Sequence, residues 1–335
     1  MKVTLPFVLA AAAALAVALG APLATTVLGL IAFGVLHNVL ELRYVAGRFA
    51  PVLGGRLLAV LLGLISVIVL CRIAAMFVGQ PARIAEILVG YAVLAAGCAY
   101  ALRGRLLGLS GAALAVACAV SLTWPAYHFV VLAHLHNVVP LFFLWEWAAA
   151  LPVLQRRWFR SVQVGWVFVL PVAVLLGVFD VSSVSPSTVA AFAGDPGRIV
   201  ALSAPPGSSV EIGARFLVVF AFLQTMHYFV WVYFLPRHAP DAARAFEARV
   251  PWLRGVRAWA LGLGLGAFLG VLFAVDYASG RALYSAFASY HAYLEFPVVL
   301  AMLLGAGAAR SQLVFRESAT SGQQTAAVSM VTRES

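Results

Sequence analysis

The sequence predicts an all-α fold, a polytopic transmembrane bundle of about ten helices. Hydrophobic residues make up 64% of the chain and charged residues only 10%, whereas soluble domains have about 45–50% apolar and about 25% charged residues. The apolar residues also form runs of roughly 17–25 residues, the length that crosses a bilayer. A water-soluble fold could not bury this much apolar surface, so we expect the chain to contact the lipid bilayer.

The apolar runs give ten candidate spans. Pro22 and Pro125 interrupt the chain after spans 1 and 5, so these very short gaps require antiparallel neighbours. The first span also fits a cleaved signal peptide, because Lys2 precedes an alanine-rich run that contains Ala16-Val17-Ala18. Cleavage would leave nine helices. The spans cover residues 4–20, 23–45, 57–79, 84–102, 106–123, 126–150, 161–180, 214–235, 257–275 and 284–308.

The basic residues predict how the chain is oriented. Arginines concentrate in the gaps after even-numbered spans, which is typical of cytoplasmic loops. We therefore predict a multi-pass protein of the inner (cytoplasmic) membrane with both termini in the cytoplasm. The longest gap, residues 181–213, is expected to be an irregular loop outside. The domain prediction is a transmembrane helical domain over residues 1–309 and a disordered cytoplasmic tail over residues 310–335.

Composition also excludes several function classes. The net charge of +10 is explained by topology, so no nucleic-acid partner is predicted. Lys2 is the only lysine, which excludes intramembrane Schiff-base chemistry. Cys71, Cys98 and Cys118 lie inside apolar runs without a CxxC spacing, so neither a disulfide framework nor a thiolate zinc site is predicted.

Histidines inside the spans are the main functional signal. Ionisable residues within a membrane are rare and usually functional, although a single histidine is commonly a packing group. Four of them belong to spans 2, 6, 8 and 10, which run in the same direction, and they lie at similar depths at 1.5 Å per residue. We therefore predict one metal site formed by His37, His136, His227 and His291.

Polar residues accompany these histidines at helical spacing. Glu41 follows His37 by four positions and Gln224 precedes His227 by three, so both could orient or join the ligands. Glu295 follows His291 by four positions near the centre of its span and is the predicted catalytic group.

The segment around His136 leaves one alternative open. His134 and His136 lie roughly 200° apart on a helix, so only one can face the site. His136 is the predicted ligand and His134 the alternative, in a helix that Pro140 is expected to kink. Further candidates are Asn137 as an additional ligand or supporting group, and Tyr228 and Tyr290 as walls of the substrate pocket.

One segment resembles a known family. Residues Gly34-Val35-Leu36-His37-Asn38-Val39-Leu40-Glu41 are similar to the Pro-His-Gly-x-x-Asp segment of the Brp/Blh family of bacterial β-carotene 15,15′-dioxygenases. Leu36, Asn38 and Glu41 replace the proline, glycine and aspartate of that pattern. The resemblance implies a non-haem iron held by intramembrane histidines, and a carotenoid as substrate.

The leading hypothesis is a membrane-bound non-haem iron oxygenase, an oxidoreductase that takes a lipophilic small molecule from the bilayer. Fe(2+) is the predicted ion, with copper and zinc as alternatives because neutral imidazoles suit all three. A haem-binding electron-transfer protein is the first rival, since the same histidines could be axial ligands. A histidine-lined proton or metal transporter is the second.

Overall fold

A computed structural model describes residues 3–179 and 188–304. These residues form helices and no strand, which confirms the predicted all-α class. The predicted tail over residues 310–335 lies outside the described residues. The helices are α1 (Thr4–Gly20), α2 (Pro22–Arg48), α3 (Gly55–Val78), α4 (Gln80–Ala101), α5 (Gly104–Thr123), α6 (Pro125–Val138), α7 (Pro140–Trp147), α8 (Val153–Val164), α9 (Leu170–Leu175), α10 (Thr188–Ala193), α11 (Pro196–Ser203), α12 (Val210–Tyr228), α13 (Leu235–His238), α14 (Pro240–Arg249), α15 (Val256–Val275) and α16 (Tyr277–Leu303).

The outer surface of the bundle is apolar. Within the described ranges, nine helical segments are long and apolar enough to cross a membrane, and α1 adds a shorter apolar helix. Large apolar side chains point outward along them, for example Phe77, Leu70 and Phe268, which are 82%, 64% and 65% exposed. Exposed apolar surface on this scale suits lipid and not water, as expected for a multi-pass membrane protein.

The interior is formed mainly by the segment Val210–His238, which contains α12, and by α16. In the most apolar 18 residues of each, 67% and 61% of the residues are buried. Helix α2 packs against both of them and against α14 and α15. Helix α1 contributes the fully buried Phe7, whose ring lies 5.5 Å from Phe159 and 5.3 Å from Phe234. Helix α5, by contrast, buries none of its residues.

Prolines interrupt the regular α-helix in several of the spans. Two π-helical segments, Gly165–Val169 and Phe229–Phe234, each end two residues before a proline, Pro171 or Pro236. Proline lacks an N–H and clashes with the carbonyl four residues earlier, and the wider π-helix accommodates this. Pro140 interrupts span 6 as predicted, because α6 ends at Val138 and α7 begins at the proline.

The segment predicted as an irregular outer loop is partly helical. Two short helices, α10 and α11, lie within it, and α11 packs against α6 and α12. Asp195 caps α11 by accepting a hydrogen bond from the Gly197 N–H at 2.9 Å, with Pro196 at the first helical position. Buried Ile199 attaches α11 to the bundle. Residues 180–187 lie outside the described ranges.

Candidate metal centre

Four histidines from four helices meet inside the bundle. His37 lies on α2, His136 on α6, His227 on α12 and His291 on α16. One nitrogen from each forms a set in which all atoms lie within 4.8 Å of one another. The predicted group of four imidazoles is therefore present, although the spans that carry it are far apart in the sequence.

The spacing of the nitrogen atoms fits metal ligation. Nε2 of His291 lies 3.3 Å from Nε2 of His37 and 3.2 Å from Nε2 of His136. Two imidazoles at about 2.0–2.1 Å from one ion are separated by about 3.0 Å at a right angle and about 3.4 Å at a tetrahedral angle. These two separations fall between the two values, and the other nitrogen pairs of the set are separated by at most 4.8 Å.

Hydrogen bonds on the far side of two rings direct their lone pairs inward. Nδ1 of His37 lies 3.0 Å from the Phe33 carbonyl oxygen, which only accepts, so Nδ1 carries the proton and Nε2 the lone pair. Nδ1 of His136 lies 2.8 Å from Oε2 of Glu295, and an ionised carboxylate again requires Nδ1 to donate. Both lone pairs then face Nε2 of His291, which has at most one proton to share when the ring is neutral. A cation removes this conflict.

Several buried polar atoms around the group also lack hydrogen-bond partners among the described residues. They include both ring nitrogens of His227, whereas the carboxyl groups of Glu41 and Glu295 lie close enough to share a hydrogen bond with each other. Such atoms are rare in native proteins and call for a specific explanation, such as a bound ion. The buried four-histidine group could therefore hold a metal ion.

The group is sealed except at one ring. His37, His227 and His291 are 1%, 0% and 2% exposed, whereas the side chain of His136 keeps 18% of its surface exposed. Any molecule that reaches the centre without rearranging the helices must approach along His136.

The two predicted carboxylates lie next to two of the imidazoles. Glu295 is 1% exposed and bonds to Nδ1 of His136, opposite the nitrogen that faces the other histidines. A carboxylate in this position fixes ring orientation and raises ligand basicity. Glu41 is also buried, with Oε2 3.7 Å from Nε2 of His227. The geometry favours a supporting role for Glu295, while its predicted catalytic role stays a prediction.

His134, the alternative ligand, lies outside the group. Its Nε2 bonds to the Ser203 carbonyl oxygen at 2.7 Å, and its ring packs 5.6 Å from Phe220. Gln224 bonds to the hydroxyl of Tyr228 at 2.7 Å instead of to His227. Asn137 is buried immediately after His136.

The two predicted pocket tyrosines differ in position. The ring of Tyr228 lies 4.6 Å from that of His37, so this residue borders the group. The hydroxyl of Tyr290 lies 2.7 Å from Oγ of Ser66 on α3, so its side chain is directed away from the four histidines. Each tyrosine is rotated by about 100° from its neighbouring histidine on the helix, so the difference depends on the helix that each one faces, α2 for Tyr228 and α3 for Tyr290.

A second buried polar group was not predicted from the sequence. Nε of Arg72 donates to Oε1 of Glu86 at 2.8 Å, and the hydroxyl of Tyr293 donates to the same oxygen at 3.0 Å. Arg72 also donates to the Ser285 carbonyl oxygen at 2.6 Å, which ties α3 and α4 to α16. Opposite charges in neighbouring spans 3 and 4 were the available signal, since intramembrane charges usually pair with each other.

No family model, curated protein or solved structure matches this chain. The resemblance to the Brp/Blh family therefore stays a prediction.

Proposed function

We propose that the protein is a membrane-embedded, metal-dependent oxygenase, in which His37, His136, His227 and His291 bind iron beside a lipophilic substrate. One observation carries the proposal: nitrogen atoms from four helices converge within 4.8 Å in a buried site. Gathering four imidazoles in an apolar interior without a partner is costly, and a metal ion is the simplest partner.

The donor set narrows the choice of ion. Four imidazole nitrogens without a thiolate suit iron, copper or zinc and disfavour calcium or magnesium, which prefer oxygen ligands. When bound, iron with four protein ligands would keep coordination positions open for dioxygen chemistry. The resemblance in residues 34–41 favours iron and suggests carotenoid cleavage as the specific reaction.

The protein orients the imidazole rings and shields them from water. Glu295 and the Phe33 carbonyl hold two imidazole rings in the ligating tautomer, and three of the four rings are shielded from solvent. The exposed edge of His136 provides the side from which a lipophilic molecule could approach.

The nitrogen separations favour a single ion over haem. Two axial imidazoles on a haem iron place their ligating nitrogens about 4 Å apart, with the macrocycle between them. Here Nε2 of His291 lies 3.3 Å from Nε2 of His37 and 3.2 Å from Nε2 of His136, so neither of these two pairs leaves space for a macrocycle between its nitrogens. Purified protein should accordingly show no Soret band, and a stoichiometric Soret band would contradict the proposal.

The central test compares two histidines of one helix. His136→Ala should lower metal content, measured by mass spectrometry on detergent-purified protein, at least about tenfold, because losing a ligand costs more than losing a supporting group. His134→Ala is the matched control and should retain the metal, because its ring bonds to Ser203. Equal metal content in both variants would refute the site.

Activity should follow the metal. Iron-loaded protein in lipid nanodiscs should consume oxygen with β-carotene or oxygenated carotenoids, and His136→Ala should not. A metal-loaded protein that consumes no oxygen with any lipophilic polyene would retain the metal site and refute the oxygenase.

A transporter is the second candidate, favoured by interrupted helices beside the polar centre. Pro140 separates α6 from α7, and Phe229–Phe234 is π-helical directly after the His227-Tyr228 pair. Interrupted helices mark binding sites in many transporters. Proteoliposomes should take up Fe²⁺, Zn²⁺ or protons if this candidate is correct, and should show no uptake if the oxygenase is.

A further inference from the structure

A cleft of about 730 Å³ lies beside the four-histidine group, between α4, α5, α6 and α16. Its volume is typical of sites for small organic molecules, about 300–1,000 Å³. At its rim Trp124 and Val131 are 55% and 54% exposed on the lipid-facing surface. The cleft therefore opens to the bilayer. Most of its lining is apolar, including Leu94, Val120, Leu132, Leu135 and Phe296.

The cleft exists because α5 packs loosely. Helix α5 follows α4 closely in the chain, yet none of its residues is buried. Its residues Ala117, Val120 and Ser121 form one wall, and α6 forms another. Because α5 does not bury a row of side chains against its neighbours, the space between these walls stays open.

One end of the apolar cleft carries a chain of hydrogen bonds. The hydroxyl of Tyr91 lies 2.9 Å from Oγ of Ser121, which in turn lies 3.0 Å from Nδ1 of His128. Nε2 of His128 has no partner among the described residues. Because that nitrogen is itself buried, a ligand oxygen would be met at the other end of the chain. If His128 donates from Nδ1 to Ser121 and Ser121 donates to Tyr91, the Tyr91 hydroxyl keeps its proton for a ligand oxygen.

The other end of the cleft approaches the four-histidine group. Leu132 lines the cleft and lies one helical turn before His136, the one ring of the four with exposed surface. His136 follows His128 by eight positions, so the two lie about 12 Å apart along the helix axis at 1.5 Å per residue. An elongated molecule anchored at His128 would therefore extend toward His136.

We propose that this cleft binds an elongated apolar molecule with one oxygen-bearing end group, a hydroxyl or a ketone, at the Tyr91–Ser121–His128 chain. Its apolar body lies along α6 and approaches the four-histidine group. The inference rests on the proposed function in one respect only, namely that the bound molecule is the substrate of that centre. The other occupant of a lipid-facing groove is an ordinary bilayer chain, which needs no hydrogen-bonding end group.

The test uses two photoreactive probes in nanodiscs, hexadecanol with a diazirine near the middle of its chain and the matching hexadecane. The alcohol should label the 128–136 segment about 2- to 10-fold more than the hydrocarbon, the range expected for one hydrogen bond. Ser121→Ala and His128→Phe should abolish this preference. Ser110→Ala is the matched control on α5, because its hydroxyl bonds locally to the Leu107 carbonyl oxygen.

Equal labelling by the two probes, or labelling confined to other segments, would overturn the proposal. Failure of the metal site gives a different result. His136→Ala should lose the metal yet keep the preference for the alcohol, whereas Ser121→Ala should keep the metal and lose the preference. Loss of metal in Ser121→Ala would show that the hydroxyl supports the fold, and would also overturn the proposal.

Discussion

At the residue scale, the direction of each side chain decides which histidines belong to the four-histidine group. His134 and His136 are two positions apart, yet one bonds to the Ser203 carbonyl and the other to Glu295 and His291. Helical spacing predicts that both cannot face one site, but it does not predict how the helix is rotated about its axis. The packing of α6 against α11 and α12 determines that rotation.

Glu295 provides a residue-scale prediction. Glu295→Gln should weaken metal binding by about 10- to 100-fold, the usual cost of losing a supporting carboxylate. The amide oxygen of the glutamine variant can still accept a hydrogen bond from the His136 N–H. Glu295→Ala should therefore bind the metal more weakly than Glu295→Gln. Metal titration of the purified variants measures this order.

Glu146→Gln is the control, because Glu146 pairs with Arg48 away from the four histidines. Wild-type affinity in Glu295→Ala would contradict the role assigned to the carboxylate.

At the element scale, α14 is attached to the end of α2 by polar contacts. Oε1 of Glu247 accepts a hydrogen bond from the Gly255 N–H at 2.9 Å and pairs with Arg43. A side chain at Gly47 could not fit, since a Cβ there would lie 1.9 Å from the Ala242 carbonyl oxygen. Close backbone contact and a short polar network therefore position this helix.

The Glu247 network predicts a pH dependence. The Gly255 N–H bond, followed by Arg43, lowers the pKa of Glu247 below its ordinary value of 4.5. A lowered pKa contributes stability that is present above the ordinary value and is lost as the pH falls through the lower, folded-state value. The contribution should be at most about 1 kcal/mol, as for other partly exposed pairs.

Thermal unfolding of the detergent-solubilised protein between pH 7 and pH 3 measures this contribution. Glu247→Gln should be less stable than the wild type at pH 7, and the difference should shrink in acid. A constant difference across the range would show that the charge of Glu247 is not involved.

At the scale of the whole molecule, much of the fold could be predicted from the lengths and spacing of the apolar runs. The ten predicted spans correspond to apolar helices, because length and hydropathy are local properties. The π-helical segments were missed although Pro171 and Pro236 follow them closely in the sequence. The Arg72–Glu86 pair was missed because it depends on how neighbouring helices pack. The direction of Tyr290 was missed for the same reason.

The predicted orientation can be tested with single cysteines in a background that lacks Cys71, Cys98 and Cys118. Ala201→Cys, at an exposed position of α11, should react with an impermeant maleimide in intact cells. Arg244→Cys on α14, at a side chain that is 73% exposed, should react only after lysis. The reverse labelling pattern would show that the chain is oriented opposite to the prediction.

The origin of the four histidines on four helices has a consequence for biogenesis. His37 and His291 are 254 positions apart, and ribosomes add about 5–20 residues per second. About 10–50 seconds therefore separate synthesis of the first and last ligands. During that interval α2, α6 and α12 can be inserted while the site lacks its fourth nitrogen. The complete set of four nitrogens exists only after α16 joins the bundle, so an ion that needs all four would be bound at the end of assembly.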